Sequence, residues 1–397
     1  EDNGRAFYFH LNEDSTSVVS GFRIYNGYVP DEGGGIYIEY SSPKIINCKI
    51  ESCYAGDDAG KGGGFFINTN GGLIIENTII ENCGHNTQTD KGGGGYVFEG
   101  SLIVRNSIFR NNYMDQYGGG LYLHYTSTPT QIIESSFQNN GYPDQSSGGN
   151  GIYTEYAQLV LDNTSFLNNN GYGSGGAIYL DSGGTGNSYI SNCQFISNGF
   201  DDLGGNGGAI FYSGGSDSLF ITSSLFKDNI VSYNIGNGGA IYSYGYISLV
   251  NCEVTNNTAF RYPGIYTNNI EVNFSTITNN TSNNGSLGGG ADIYLSNSNF
   301  QSILTNSIID SYSNYGDSAP PPIVENIFND GATAAKFIDQ DHGGYRINIH
   351  SPCIGMGSVT EIQFDLAGNP RTNPPGSSPD VGCYEHALAN TISDPVG

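Results

Sequence analysis

A short phrase of residues recurs eleven times between Val19 and Ile309, at intervals of about 29 residues. Each phrase has an aliphatic residue, a small residue three positions later, a bulky apolar residue two further on and usually an asparagine three after that. The bulky position is occupied by Ile24, Ile50, Ile80, Phe109, Phe137, Phe166, Phe195, Phe226, Val254, Ile277 and Ile309. A fixed period of this length is typical of architectures in which each unit buries its apolar face on its neighbours. The repeat therefore predicts stacked coils.

Each repeat also carries a glycine-rich phrase that precedes alternating aliphatic and aromatic residues, as in Gly33 to Tyr37 and Gly175 to Tyr179. Alternation with a period of two indicates a strand with one apolar face. The glycines allow the chain to bend at the corner of a coil. The aliphatic side chains are expected to point inward and the aromatic ones outward.

Coils of this length, with two or three short strands stacked at ~4.8 Å per rung, predict an all-β, single-stranded parallel β-helix of eleven or more coils. The handedness of parallel crossovers predicts right-handed winding. A left-handed hexapeptide helix is the main alternative, but its unit is shorter and more regular. Residues 1–316 are assigned to the repeats and 317–322 to a proline-rich break, because prolines interrupt strand ladders. Residues 323–386 are assigned to a closing segment and 387–397 to a polar tail.

The composition limits the partners. The formal net charge is −25, with 13 basic and 38 acidic residues. This charge disfavours nucleic acids and anionic membranes. No apolar run approaches the ~20 residues of a transmembrane helix. A polysaccharide, another surface protein or a second copy joined end to end are the expected partners, and neutral sugars are favoured over polyanionic ones.

Cysteine positions suggest the compartment. Cys53 and Cys83 occupy the asparagine position of consecutive repeats, so their backbones are expected ~4.8 Å apart, within disulfide range. Cys353 and Cys383 form a second candidate pair. The remaining three cysteines fall at the small inward position and are expected to be buried thiols. Disulfides favour an extracellular or cell-surface location.

Two motifs after the repeats carry a family resemblance. Gly368 to Arg371 reads G-x-P-R, and Asp380 to Glu385 reads D-x-G-x-Y-E. This closing pattern resembles that of secreted, surface-anchored bacterial right-handed β-helix proteins. The Gly-Gly-Ala-Ile phrase at 175–178 and the Phe-x-x-Asn phrase at 166–169 also resemble passenger repeats of polymorphic outer-membrane autotransporters. The resemblance implies an exported β-helix and an adhesive role.

One aromatic residue follows the glycines of each repeat, which predicts an outward ladder of rings along the rod. Its tyrosines are Tyr37, Tyr96, Tyr122, Tyr153, Tyr179, Tyr242, Tyr266 and Tyr294. Such a ladder can serve as cross-strand packing that stabilises the sheet. It can also serve as a platform for sugar rings or a protein surface, since tyrosine combines an apolar face with a hydroxyl. Both uses stay open.

His124, Glu155 and Asp181 lie two residues after that ladder on three successive repeats. Carboxylates on adjacent rungs are expected ~5 Å apart, which is close to the separation in a retaining glycosidase. These residues are the candidate catalytic group. Chance adjacency in an acidic chain is the alternative.

Aspartates in the loops before the glycines suggest a metal. Asp57, Asp58, Asp201 and Asp202 fall along one edge of the predicted rod, where oxygen ligands from successive coils could hold Ca²⁺. Solvated turn residues are the alternative reading, and no cofactor is expected to be required.

The sequence therefore predicts an extracellular, surface-associated β-helix that acts as a binding, adhesive or self-assembling rod. The alternative is a carbohydrate-active enzyme, either a glycoside hydrolase or a polysaccharide lyase.

Overall fold

The computed structural model of the protein describes residues 4–56, 60–84, 89–141, 148–200, 205–231, 236–284, 290–296, 301–314, 320–329, 332–340, 344–388 and 390. Within these ranges the chain winds as a right-handed parallel β-helix with three faces, which confirms the predicted fold class. No helix in the described ranges is long and apolar enough to cross a membrane.

Face 1 contains the strands that follow the glycines. Its strands are Phe7–Phe9, Ile36–Ile38, Phe65–Ile67, Gly95–Phe98, Leu121–His124, Ile152–Glu155, Ile178–Leu180, Ile210–Tyr212, Ile293–Leu295 and Tyr312–Asn314, and the first halves of Ile241–Val250 and Ile265–Asn273. Each pairs in parallel with its neighbours on adjacent coils, and the first and last strands have one neighbour each.

Face 2 contains the aliphatic position of the repeated phrase. Its strands are Val18–Ser20, Lys44–Ile46, Gly72–Glu76, Ser101–Arg105, Thr130–Ile133, Leu159–Asp162, Ser188–Ser191, Ser218–Thr222, Ile303–Thr305 and Ile323–Glu325. The second halves of Ile241–Val250 and Ile265–Asn273 also belong to it, because these two long strands run through both faces and join them into one sheet.

Face 3 contains the bulky position. Its eleven strands are Arg23–Tyr25, Lys49–Glu51, Ile79–Glu81, Ile108–Arg110, Ser136–Gln138, Ser165–Leu167, Gln194–Ile196, Leu225–Lys227, Glu253–Thr255, Thr276–Thr278 and Ile308–Ile309. Three smaller parallel sheets lie outside these faces. Two have two strands each, Tyr28–Val29 with Tyr54–Ala55 and Gly60–Lys61 with Thr89–Lys91. The third has four strands, Gly199–Phe200, Ile230–Val231, Thr258–Ala259 and Thr281–Ser282.

Identical positions of successive coils lie on top of one another, as the period predicts. Ile24 pairs with Ile50, and Phe109 pairs with Phe137. Inside face 3, five phenylalanine rings from Phe109 to Phe226 form a continuous stack with centroids 4.7–5.1 Å apart. These rings are fully buried, so the narrow interior is dry and closely packed.

The asparagine position forms a second stack inside the rod. Its members are Asn112, Asn140, Asn169, Asn198, Asn229, Asn257 and Asn280. From Asn140 onward, each side-chain oxygen accepts from the backbone N–H and the amide nitrogen of the asparagine one coil earlier, as for Asn169 and Asn140 at 3.1 and 3.0 Å. The amide nitrogen of Asn169 also donates to the carbonyl of Phe137 at 3.0 Å. Buried polar groups are tolerated here because each has its partners.

This asparagine ladder ends at a carboxylate. Asn280 donates its last amide N–H to Asp292 at 2.7 Å, and Ser311 donates to the other oxygen of Asp292 at 2.9 Å. Burial raises the pKa of Asp292 to about 7.

All seven cysteines are buried free thiols in this structure, and the two disulfides stay predictions. Cys53 and Cys83 lie on adjacent coils at the start of the asparagine column, and the backbone N–H of Cys83 donates to Asn112 at 3.1 Å. Cys353 packs in a C-terminal cluster with Ile347, while the N–H of Cys383 donates to Thr276 of face 3.

The C-terminal segment covers the outer side of the last three strands of face 3. It contains the helix Ala332–Ala335 and the antiparallel strands Phe337–Asp339 and Gly344–Ile347. The hydroxyl of Tyr345 donates to Asn256 at 2.6 Å, and that of Tyr384 donates to Glu253 at 2.6 Å. The predicted break at 317–322 lies partly outside the described residues.

The two closing motifs meet in one buried ion pair. Arg371 of G-x-P-R lies 2.9 Å from Glu385 of D-x-G-x-Y-E, and neither side chain is exposed. Arg371 also donates to the carbonyls of Asp380 and Gly382 and lies 4.4 Å above the ring of Phe274. These motifs therefore fasten the segment to the rod.

Replacement of Asp292 by asparagine tests the end of the ladder. The raised pKa of Asp292 means that its contribution to stability is full below about pH 4 and is lost as the pH rises through about 7. Asp292→Asn keeps an acceptor for Asn280 and cannot ionise. We expect its free energy of unfolding, measured by urea titration, to exceed that of the wild type by roughly 1–3 kcal/mol at about pH 8 and to match it near pH 4.5. A gain that is larger at the lower pH would contradict this assignment.

Removal of the buried cation tests the C-terminal attachment. Arg371→Leu leaves Glu385 buried without its partner and should lower the free energy of unfolding by about 3–5 kcal/mol. Backbone hydrogen exchange should become faster in residues 353–385 under conditions in which exchange in the coils is still unchanged. Arg105→Leu is the matched control, because Arg105 pairs with Glu76 at 3.3 Å on the surface, and such pairs contribute ~0–1 kcal/mol. Equal losses in the two variants would refute the special role of Arg371.

Candidate functional site

The aromatic ladder on face 1 is continuous, but it is less open than predicted. Consecutive rings from Tyr96 to Tyr294 stack with centroids 4.4–5.3 Å apart. Tyr96, Tyr122 and Tyr242 are buried, while the other ladder tyrosines, Tyr37, Tyr153, Tyr179, Tyr266 and Tyr294, are half-buried. The expectation of an open platform is therefore wrong for the three buried rings.

The ladder is covered because neighbouring loops fold over its outer side. The ring of Tyr117 lies 4.5 Å from that of Tyr153 and 6.2 Å from that of Tyr122. The ammonium group of Lys91 lies 5.2 Å from the centroid of Tyr122, within the range of a cation–π contact. Packing of the sheet thus accounts for most of the ladder.

His124 and Glu155 form a compact polar cluster beside the buried rings. Their strands pair in register, and His124 Nε2 lies 3.7 Å from a carboxylate oxygen of Glu155. The Tyr122 hydroxyl donates to Glu155 in a short hydrogen bond. The Tyr96 hydroxyl lies 3.1 Å from His124 Nδ1. Both side chains are therefore held by tyrosines, so the pair is oriented before any ligand arrives.

The surroundings of this cluster favour a neutral imidazole. Burial lowers the pKa of His124, the Glu155 carboxylate opposes that shift, and the Lys91 ammonium adds to it. Burial also raises the pKa of Tyr122, and the hydrogen bond to Glu155 raises it further. The Tyr122 hydroxyl therefore stays protonated and acts as the donor to Glu155.

Asp181 does not join this cluster. The register between Ile152–Glu155 and the next strand ends at Tyr153 and Tyr179, so the predicted alignment of Glu155 with Asp181 is not observed. The backbone of Asp181 instead exchanges hydrogen bonds with the Thr154 hydroxyl, at 2.8 and 3.2 Å. The catalytic pairing of Glu155 with Asp181 therefore stays a prediction.

Two exposed tyrosines flank the cluster and were not predicted. Tyr125 and Tyr156 are 47% and 37% exposed, and their rings stack with centroids 4.6 Å apart and planes at 1°. The ring of Tyr125 lies 4.5 Å from that of His124. Both tyrosines sit three residues after a ladder tyrosine, in a turn with φ near +50°. This spacing was visible in the sequence, but a turn position gives no alternation to mark it.

The proposed metal ligands cannot be placed. Asp57, Asp58, Asp201 and Asp202 lie outside the described residues. No group of three or more His, Cys, Asp or Glu side chains suited to a metal occurs among the residues that the structure describes. The Ca²⁺ site stays a prediction.

Residues 5–158 match a family model described as a right handed beta helix region. A search of curated proteins finds no match. Among solved structures, the crystal structure of pectate lyase Pel9A is 14% identical, with a TM-score of 0.43, over 96% of this chain and 86% of that chain. A similarity at this level transfers no activity. The family match and the observed winding agree on the right-handed parallel β-helix.

The titration of His124 tests the electrostatics of the cluster. We expect its imidazole to titrate below 6.5, because burial disfavours the cation. Glu155→Gln removes a stabilising anion and should lower the pKa of His124 further, whereas Lys91→Met should raise it. The imidazole NMR signal, assigned with His124→Gln, gives each midpoint. A rise in Glu155→Gln would show that the two side chains are not coupled as described.

Proposed function

We propose that this protein is an extracellular, surface-associated β-helix that binds carbohydrate on the outer side of face 1. The observation that carries the proposal is the exposed Tyr125–Tyr156 pair beside the oriented His124 and Glu155. The resemblance of the repeats to exported adhesins supports a surface location and an adhesive role.

The chemistry of the cluster suits sugar hydroxyls. The exposed side of the tyrosine pair presents ring edges and two hydroxyls about one rung apart. The Glu155 carboxylate accepts hydrogen bonds, while a neutral His124 can donate or accept. Aromatic surface next to a few oriented polar groups is typical of small-ligand recognition. Because the chain carries a net charge of −25, we favour neutral polysaccharides for this site.

A polysaccharide-cleaving enzyme is the second candidate, and the neutral His124 next to Glu155 is the observation that favours it. An oriented imidazole with a lowered pKa can act as a general base near neutral pH. Hydrolysis would use Glu155 with a second carboxylate, whereas elimination would use His124 as the base on a uronate.

Binding of soluble neutral polysaccharides, such as xyloglucan and β-glucan, tests the first candidate. Tyr156→Asn removes the exposed ring and keeps a residue that tolerates positive φ. We expect about fivefold weaker retention in affinity electrophoresis, since one aromatic contact is worth about 1 kcal/mol. Tyr40→Asn is the matched control, because Tyr40 is 56% exposed at the same turn position on a coil without the His–Glu pair. Equal losses in both variants, or retention of no polysaccharide, would refute the site.

Product analysis separates the two candidates. Reducing ends or unsaturated uronates that the wild type produces, and that His124→Gln and Glu155→Gln abolish, would establish cleavage. Binding with intact polymers would leave the binding protein as the conclusion.

A further inference from the structure

A groove runs along the line where the C-terminal segment leaves the outer side of face 3. Two adjoining pockets, of about 700 and 410 Å³, share the side chains of Leu225 and Tyr384. This groove lies on a different face from the His124 cluster and involves none of its residues. It is thus a separate candidate for ligand binding.

The smaller pocket is lined by two basic side chains as well as by acidic ones. Lys227, from face 3, and Arg346, from the C-terminal strand Gly344–Ile347, both line it. Neither forms an ion pair within the described ranges, whereas Lys49 and Arg110 both pair with Glu81, and Arg371 pairs with Glu385. Lys227 does act electrostatically on the Glu253 carboxylate, but both cations retain N–H groups that can form charge-assisted hydrogen bonds with an anion.

Two acids also line this pocket, Glu253 and Asp339. Glu253 is 4% exposed and uses its oxygens to accept from Tyr384 at 2.6 Å and from Thr255 at 2.9 Å. Its carboxylate is therefore occupied by the protein. Arg346 lies over the ring of Tyr384, 5.7 Å from its centroid, and so stands at the boundary of the two pockets.

The larger pocket is polar and has one free aromatic face. Gln194 and Asn192 from the rod face Gln363 and Phe364 from the C-terminal segment. Phe364 is 56% exposed. The Asp365 carboxylate accepts from the N–H groups of Ala367, Asn369 and Glu385, and the Asn192 amide donates to Asp162 at 2.8 Å. The side-chain amides of Gln194 and Gln363 are therefore the main groups for a ligand.

We propose that this groove binds an oligosaccharide that carries a carboxylate. Lys227 and Arg346 hold the carboxylate, while the amides and Phe364 contact neutral sugar units. A peptide strand is disfavoured, because Gln194–Ile196 and Leu225–Lys227 are paired on both sides and offer no free backbone edge. The groove thereby differs in ligand chemistry from the neutral site proposed on face 1.

The test compares two probes by calorimetry: xylotriose, and xylotriose that carries one glucuronate. We expect the acidic probe to bind wild-type protein about tenfold more tightly, and the difference to shrink at high salt. In Lys227→Met/Arg346→Met the two probes should bind equally. Phe364→Ala should weaken both probes to a similar degree.

Lys44→Met serves as the control for overall charge, since Lys44 lies on face 2, away from the groove. It should keep the preference for the acidic probe. Binding of neither probe, equal binding by the wild type, or a preference that survives in the double variant would overturn the proposal. Thermal melts of each variant establish that the fold is intact, so that a loss of binding can be assigned to the groove.

Discussion

Alignment of like side chains at the spacing of one rung is the constraint on which this structure depends. Backbone pairing sets the ~4.8 Å spacing between coils. In every interior column, each side chain must therefore pack against or hydrogen-bond to a side chain of the same kind at that distance. Aliphatic residues, phenylalanine rings and primary amides all satisfy this condition. The amides do so because Asn140, Asn169 and Asn198 each accept from one neighbour and donate to the next.

The same constraint explains which parts of the fold could be predicted from the sequence. The stacking of the bulky residues from Ile24 to Ile309 was predicted correctly, because the spacing inside each phrase is nearly constant and changes in loop length fall between phrases. The alternation of residues along a strand shows which side chains point away from the interior. It does not show what covers them afterwards, and so the burial of Tyr122 under Lys91 and Tyr117 was missed.

The candidate site, like the fold, could be predicted only where it follows the repeat. His124 and Glu155 are neighbours because their strands share the register of the ladder. Asp181 does not follow, because pairing ends two residues earlier. The C-terminal segment has no period, and Arg371 reaches Asn251, 120 residues away in the chain. Its ion pair and the groove beside it could therefore not be derived from repeat analysis, although the residues of the closing motifs were recognised.

The head-to-tail amide column has a consequence for how such a rod changes in length. Each coil presents one acceptor to the coil before it and one donor to the coil after it, so an added or deleted coil leaves no orphaned polar group. Only the terminal donor needs a special partner, which Asp292 provides. Whole turns can thus be gained or lost by duplication or excision of a single segment, whereas a partial turn would break every column at once.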